Sequence, residues 1–161
     1  MNAYLSAPIL LRSELADFAA ATRAAGKKLI LTNGCFDVIH VGHIRYLAAA
    51  KALGGNVLVA INSDAQVSSL KGEGRPAMPQ DERAETIAAI RFVDAVTIFD
   101  EPTVEEIIHI TRPDIHAKGT DYTTGTVPER DIVRGYGGLV AIVGDPKDHS
   151  STAILEELRG R

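Results

Sequence analysis

The chain has 161 residues, of which 45% are hydrophobic and 24% charged, a balance that fits one globular domain and excludes disordered and fibrous classes. Lys and Arg number 17 against 21 Asp and Glu, and the net charge of −4 argues against a protein that coats nucleic acid. A single cysteine, Cys35, excludes an internal disulfide and a multi-thiolate zinc site.

The first predicted element is a helix capped by Ser13, running through Leu15, Phe18, Ala19 and Thr22 and stopped by Gly26. Residues 27–32 form a short apolar run, β-branched at Ile30 and Thr32, and read as a buried strand. A polar turn over 33–42 leads into a helix from His43, with Ile44, Leu47, Ala48 and Leu53 on one face and Gly54 at its end. Residues 56–62 are a second apolar strand. Strand, glycine-containing turn, helix and strand within about 35 residues make a βαβ unit, whose strands pair in parallel.

Residues 63–79, with two glycines and two prolines, are expected to form a long loop. Beyond it, 81–92 reads as an amphipathic helix, 95–99 as a strand, 103–111 as a helix and 114–118 as a short strand. A polar loop over 119–126 precedes a helix over 127–136, a last strand over 139–143 and a closing helix over 152–159. The alternation predicts a Rossmann-like α/β fold with a doubly wound parallel sheet of about five strands. One domain over 1–161 is expected, with a covering helix within 1–26 and a core over 27–161. No apolar run approaches the ~20 residues that cross a bilayer. The first residues also lack a basic n-region and a cleavage site. A cytoplasmic protein with neither membrane nor nucleic-acid partners is expected.

Ligands of such sheets sit at the carboxyl ends of the strands. The loop after the first long strand reads Asn33-Gly34-Cys35-Phe36-Asp37-Val38-Ile39-His40-Val41-Gly42-His43. Two histidines three apart, flanking a glycine at a helix start, face the space into which the helix's free N–H groups point. Backbone donors, the positive end of the helix dipole and two imidazoles together suit an anion, and Gly42 allows the backbone close to a phosphate. No Gly-x-Ser-x-Gly elbow is present and Cys35 has no evident activating partner, so a protein nucleophile is not expected.

The stretch GCFDVIHVGH resembles the signature of the nucleotidyltransferase superfamily with His-x-Gly-His motifs. Within it, the longer match is to the adenylyltransferase family of ADP-heptose synthesis. The similar segments are LTNGCFDVIHVGHIRYLAAAKALG, INSDAQVSSLKGEGRP, DERAETIAAIRFVDAVTIFDEPT, RPDIHAKGTDY and HSSTAIL, from about Leu31 to Leu155. The resemblance implies transfer of AMP from ATP to D-glycero-β-D-manno-heptose 1-phosphate by direct in-line attack, with Mg²⁺ arriving on the nucleotide and no metal site in the protein. Positioning and cationic or dipolar stabilisation would then carry the catalysis.

It further implies that His40 and His43 contact the triphosphate as catalytic residues, and that Lys71 binds phosphate. A lysine on a glycine-rich loop swings onto phosphates as a mobile point charge. Nucleotide contacts are implied for Asn33, Gly34, Phe36 and Gly42, for Arg83 near the triphosphate, for Gly119 and Asp121 at base and ribose, and for Ser151 and Thr152 at phosphate. Asp37 and Arg75 are candidates for the sugar-phosphate end; loop structure is the other reading of Asp37, and a turn cap that of Arg75. An exposed helix arginine is the other reading of Arg83, and a turn-forming residue that of Asp121.

Cytidylyltransferases for glycerol 3-phosphate and similar alcohol phosphates share the histidine loop but carry Arg-Thr-x-Gly-Ile-Ser-Thr before the last helix. Here the segment is Asp145-Pro146-Lys147-Asp148-His149-Ser150-Ser151. That branch is the alternative for the substrate, and a non-catalytic nucleotide-binding sensor is the alternative of another class. The expected partners are ATP and a sugar 1-phosphate, further copies of the chain in a homo-oligomer, and a separate heptose kinase and phosphatase upstream.

Overall fold

The structure is a computed structural model that describes residues 6–146 and 148–160; Lys147 lies outside the described residues. Among the described residues, six strands form one parallel sheet: β1 (Ile9–Leu10), β2 (Lys28–Gly34), β3 (Gly55–Asn62), β4 (Ala95–Phe99), β5 (Ile115–Lys118) and β6 (Leu139–Ile142). Their order is β1-β4-β3-β2-β5-β6. The connecting helices are α1 (Leu15–Ala24), α2 (Val41–Ala52), α3 (Asp64–Lys71), α4 (Gln80–Ala88), α5 (Glu105–Thr111), α6 (Arg130–Gly135) and α7 (Ser151–Arg159).

The central strands are buried on both faces, as a parallel sheet requires, and successive residues feed two different cores. Ile30, Val57, Val59 and Ile61 pack with Leu47 and Ala50 of α2 and Ala84 and Ile87 of α4. Their neighbours Leu29, Leu31, Leu58 and Ala60 pack on the other face with Leu15 and Ala19 of α1, Ile107 and Ile108 of α5 and Val133 of α6. Each fully buried Leu or Ile contributes roughly 1.5–3 kcal/mol, so these two layers fix the sheet. From β2 the chain steps through β3 to β4 in one direction, and from β5 to β6 in the other. β2 and β5 are therefore the switch point, and their carboxyl ends lie side by side.

Three expectations change. The sheet has a sixth strand: β1 follows Pro8 and pairs Ile9 with Val96 and Leu10 with Thr97, and the Thr97 hydroxyl donates to the Leu10 carbonyl at 3.0 Å. Two residues are too few to show an alternating pattern, which is why the sequence reads as five strands. Ser13 does not cap α1; it lies in a 3₁₀ turn over Arg12–Glu14, and the Glu14 carboxylate accepts the Leu11 N–H at 2.7 Å. Residues 63–79 are not one loop, because α3 occupies the first half, with the Ser63 hydroxyl accepting the Gln66 N–H at 3.4 Å as its cap.

Candidate active site

A cavity of about 590 Å³ opens over the carboxyl ends of β2, β3, β4 and β5. Its shape starts with the exit from β2. Phe36 takes a left-handed backbone conformation (φ 48°), which costs energy for a residue with a side chain. Its buried ring offsets that cost, packing against Gly34 and lying 5.3 Å from the His43 ring between centroids.

His40 caps α2. Its Nδ1 accepts the Gly42 N–H at 3.1 Å, and the Nδ1 of His43 accepts the His40 N–H at 3.3 Å. A ring nitrogen that accepts carries no proton, so each neutral imidazole holds its proton on Nε2, turned away from the backbone. The rings sit 4.0 Å apart and both residues line the cavity, as a pair of N–H donors beside the first turn of α2. Burial, then the neighbouring His40 and Lys71, push His43 down to about 4, so it is a neutral donor at neutral pH. A Cβ at Gly42 would come within 2.9 Å of His40 Cε1, so only glycine lets that ring fold back over the helix start.

The other predicted residues divide. Asn33, Gly34, Phe36, Gly42, Lys71, Gly119, Asp121, Ser151 and Thr152 all line the cavity with the two histidines. Lys71 is held differently from expected: it is the last residue of α3, exposed at the rim, with Gly72 (φ 90°) ending the helix behind it. The Ser151 hydroxyl donates to the Val38 carbonyl at 2.7 Å and ties α7 to the histidine loop, while Ser150 caps that helix by accepting the Ala153 N–H.

Arg83 is not in the cavity lining. It is 1% exposed, and its guanidinium donates to the Cys35 carbonyl (2.5 Å), the Asn62 carbonyl (2.9 Å), the Met78 carbonyl (3.0 Å) and Asp64 (2.8 Å). Neither a free triphosphate ligand nor an exposed helix arginine describes it; it ties the ends of β2 and β3 to the start of α4. Asp37 borders the cavity with a fully buried carboxylate that accepts the N–H groups of Ala77 (2.8 Å) and Met78 (3.1 Å) and Arg75 Nε (2.7 Å). Burial alone would raise its pKa, but those hydrogen bonds outweigh it and hold the carboxyl below its usual range. Arg75 also donates to Thr152 at 3.3 Å. Asp37 and Arg75 thus fasten the crossover between α3 and α4 to the histidine loop and α7.

The lining also includes residues outside the predicted site, among them Tyr46, Asn62, Lys118 and Glu129. Tyr46 lies three residues beyond His43 on the same helical face, and its hydroxyl donates to the Ala117 carbonyl at 2.7 Å. Lys118 stands in the quoted RPDIHAKGTDY segment; its ammonium donates to Asn33 Oδ1 at 3.3 Å and lies 4.5 Å from the Tyr122 ring centroid. Burial lowers its pKa, and Glu129 and Asp121 partly restore it. Asn33 Oδ1 also meets His116 Nε2 at 3.0 Å. Glu129 has no sequence signal; only its burial marks it. The Cys35 thiol is pushed up by burial, against the pull of Lys71 and Arg83, in keeping with a packing role.

Paired N–H donors at a helix start, set at the switch point of a parallel sheet, define a nucleotide-handling α/β domain. The cytidylyltransferase-like family model matches residues 31–157, and the chain belongs to this nucleotidyltransferase family. It is 44% identical over 153 residues to the bifunctional protein HldE of Syntrophotalea carbinolica, covering 95% of this chain and 31% of that protein. It is 45% identical over 151 residues to the HldE of Koribacter versatilis, covering 94% and 31%. The chain thus spans about a third of the length of these relatives. Among solved structures, the lipopolysaccharide core biosynthesis protein of Thermoplasma volcanium superposes with a TM-score of 0.59 at 27% identity, over 73% of this chain and 95% of that one.

Proposed function

We propose that this domain transfers AMP from ATP to D-glycero-β-D-manno-heptose 1-phosphate, giving ADP-heptose and pyrophosphate. The observation that carries the reading is the pair of Nε2–H donors of His40 and His43 at the start of α2, in a chain similar to HldE over nearly its whole length. An oxygen of the sugar phosphate attacks the α-phosphorus in line, and the bond to the bridging oxygen of pyrophosphate breaks. Charge grows on the phosphoryl oxygens, and the two imidazole N–H groups, the first turn of α2 and the Lys71 ammonium stabilise it. Gly119 and Asp121 after β5 take base and ribose, and Ser151 and Thr152 the phosphates. Among the described residues no cluster of three or more His, Cys, Asp or Glu side chains is placed to hold a metal ion. A Mg²⁺ carried by the triphosphate and water would neutralise phosphate charge there.

The acceptor comes from a heptose kinase and a phosphatase, and the product serves a surface glycan such as lipopolysaccharide. Among the described residues no helix is long and apolar enough to cross a membrane; a cytoplasmic site of action and a homo-oligomeric state complete the proposal. Light scattering at working concentration tests the oligomer, and a monomer mass ends that part.

Pyrophosphate release with Mg²⁺, crossing ATP and CTP against the heptose phosphate and glycerol 3-phosphate, tests the reaction. Release with ATP and heptose phosphate alone is expected. Release with CTP and glycerol phosphate keeps the mechanism and overturns the substrate. Tight ATP binding with no release in any arm overturns turnover itself.

A further inference from the structure

The cavity has two sides that belong to different faces of the sheet. The histidines and the start of α2 stand on one. The other is formed where β4 runs into α5 and where the chain enters α6, with Phe99, Val104, Pro128 and Glu129 as its lining and Lys118 at the base.

Glu129 is 5% exposed and Lys118 7%, so a carboxylate and an ammonium are both withdrawn from bulk water here. Lys118 is partly satisfied by Asn33 and the Tyr122 ring. Glu129 Oε2 is buried with no hydrogen-bond partner. A buried acceptor left without a donor is costly, and a charged one more so. A ligand hydroxyl would relieve that cost, whereas a phosphate would be repelled by the carboxylate. The neighbouring phenylalanine, valine and proline suit the C–H faces of a sugar.

We infer that Glu129 and Lys118 form the acceptor subsite, in which Glu129 Oε2 accepts a hydrogen bond from a hydroxyl of a polyhydroxylated sugar chain, at the end remote from its phosphate. This rests on the proposed function and adds what recognises the acceptor: a carboxylate that favours a neutral polyol over a second anionic group. Asp121, which follows β5 and whose charge also acts on Lys118, is left for the ribose.

The test is steady-state pyrophosphate release by the wild type and Glu129→Gln, varying heptose 1-phosphate and ATP in turn. Glu129→Gln keeps the shape of the side chain but replaces one acceptor oxygen with a donor. The acceptor KM should rise roughly tenfold or more, the worth of a hydrogen bond to a charged group, while the ATP KM stays within about twofold. Glu129→Asp, with thermal melting and calorimetric ATP binding as controls on the fold, should raise the acceptor KM in the same direction. An unchanged acceptor KM in a variant that still turns over overturns the inference and leaves the proposed function standing. A rise in the ATP KM instead assigns Glu129 to the nucleotide and also overturns it. A wild type that binds ATP but never uses the heptose phosphate overturns the proposed function, and this inference with it.

Discussion

His43 is neutral in the free protein because burial and its neighbours hold it near 4, so under the proposed function it would stabilise developing charge as a hydrogen-bond donor. Replacing His43 with Ala should lower kcat by roughly 10²–10³, the worth of one preorganised donor, with the melting temperature little changed. Asp37 behaves oppositely. Its carboxylate has no solvent exposure and holds Arg75 and two backbone N–H groups. Asp37→Ala leaves a buried guanidinium uncompensated, and urea denaturation should show a loss of roughly 3–5 kcal/mol. His116 is fully buried and pushed down to about 3, chiefly by burial and then by Lys118. The unfolded chain then binds a proton that the folded one refuses, so this stability is complete above about pH 6.5 and is lost as pH falls from there towards 3. The slope is at most roughly 1.4 kcal/mol per pH unit, and a melting temperature that does not fall across that window in wild type would contradict the assignment.

The crossover from β3 to β4 shows how an element sets the position of a charge. α3 ends at Lys71, and Gly72 takes φ 90°, a conformation that a Cβ makes costly. Gly72→Ala should fray that end, displace Lys71 and raise the ATP KM several-fold, whereas Ala20→Ser, at an exposed position of α1, should leave it unchanged. This crossover is also where the sequence was hardest to read. α3 buries only Val67, so its helical period carries almost no hydrophobic signal, and the glycines and prolines after it dominate the segment. The histidine loop was readable because strand, turn, His-x-Gly-His and helix occur in an order that has few other physical uses. Arg83 and Glu129 were not, since a charged residue near a helix start reads as solvated until burial and partners are seen.

In the whole molecule, the sheet order brings segments that are far apart in sequence to the carboxyl ends of the central strands, and Arg83 joins those at the ends of β2 and β3. Its four oxygen partners come from Cys35, Asn62, Asp64 and Met78. Opening the Asp64 segment strands the guanidinium without its counter-charge, and opening the others strips it of hydrogen bonds in the interior. The floor of the site therefore has no low-energy local opening of its own. Its backbone amides should exchange with deuterium only through global unfolding, and activity on heating should fall along the same curve as the circular dichroism. Arg83→Met should separate the two curves, with catalysis failing several degrees before the sheet melts. A catalyst built this way has no early warning of heat: it works until the whole fold gives way.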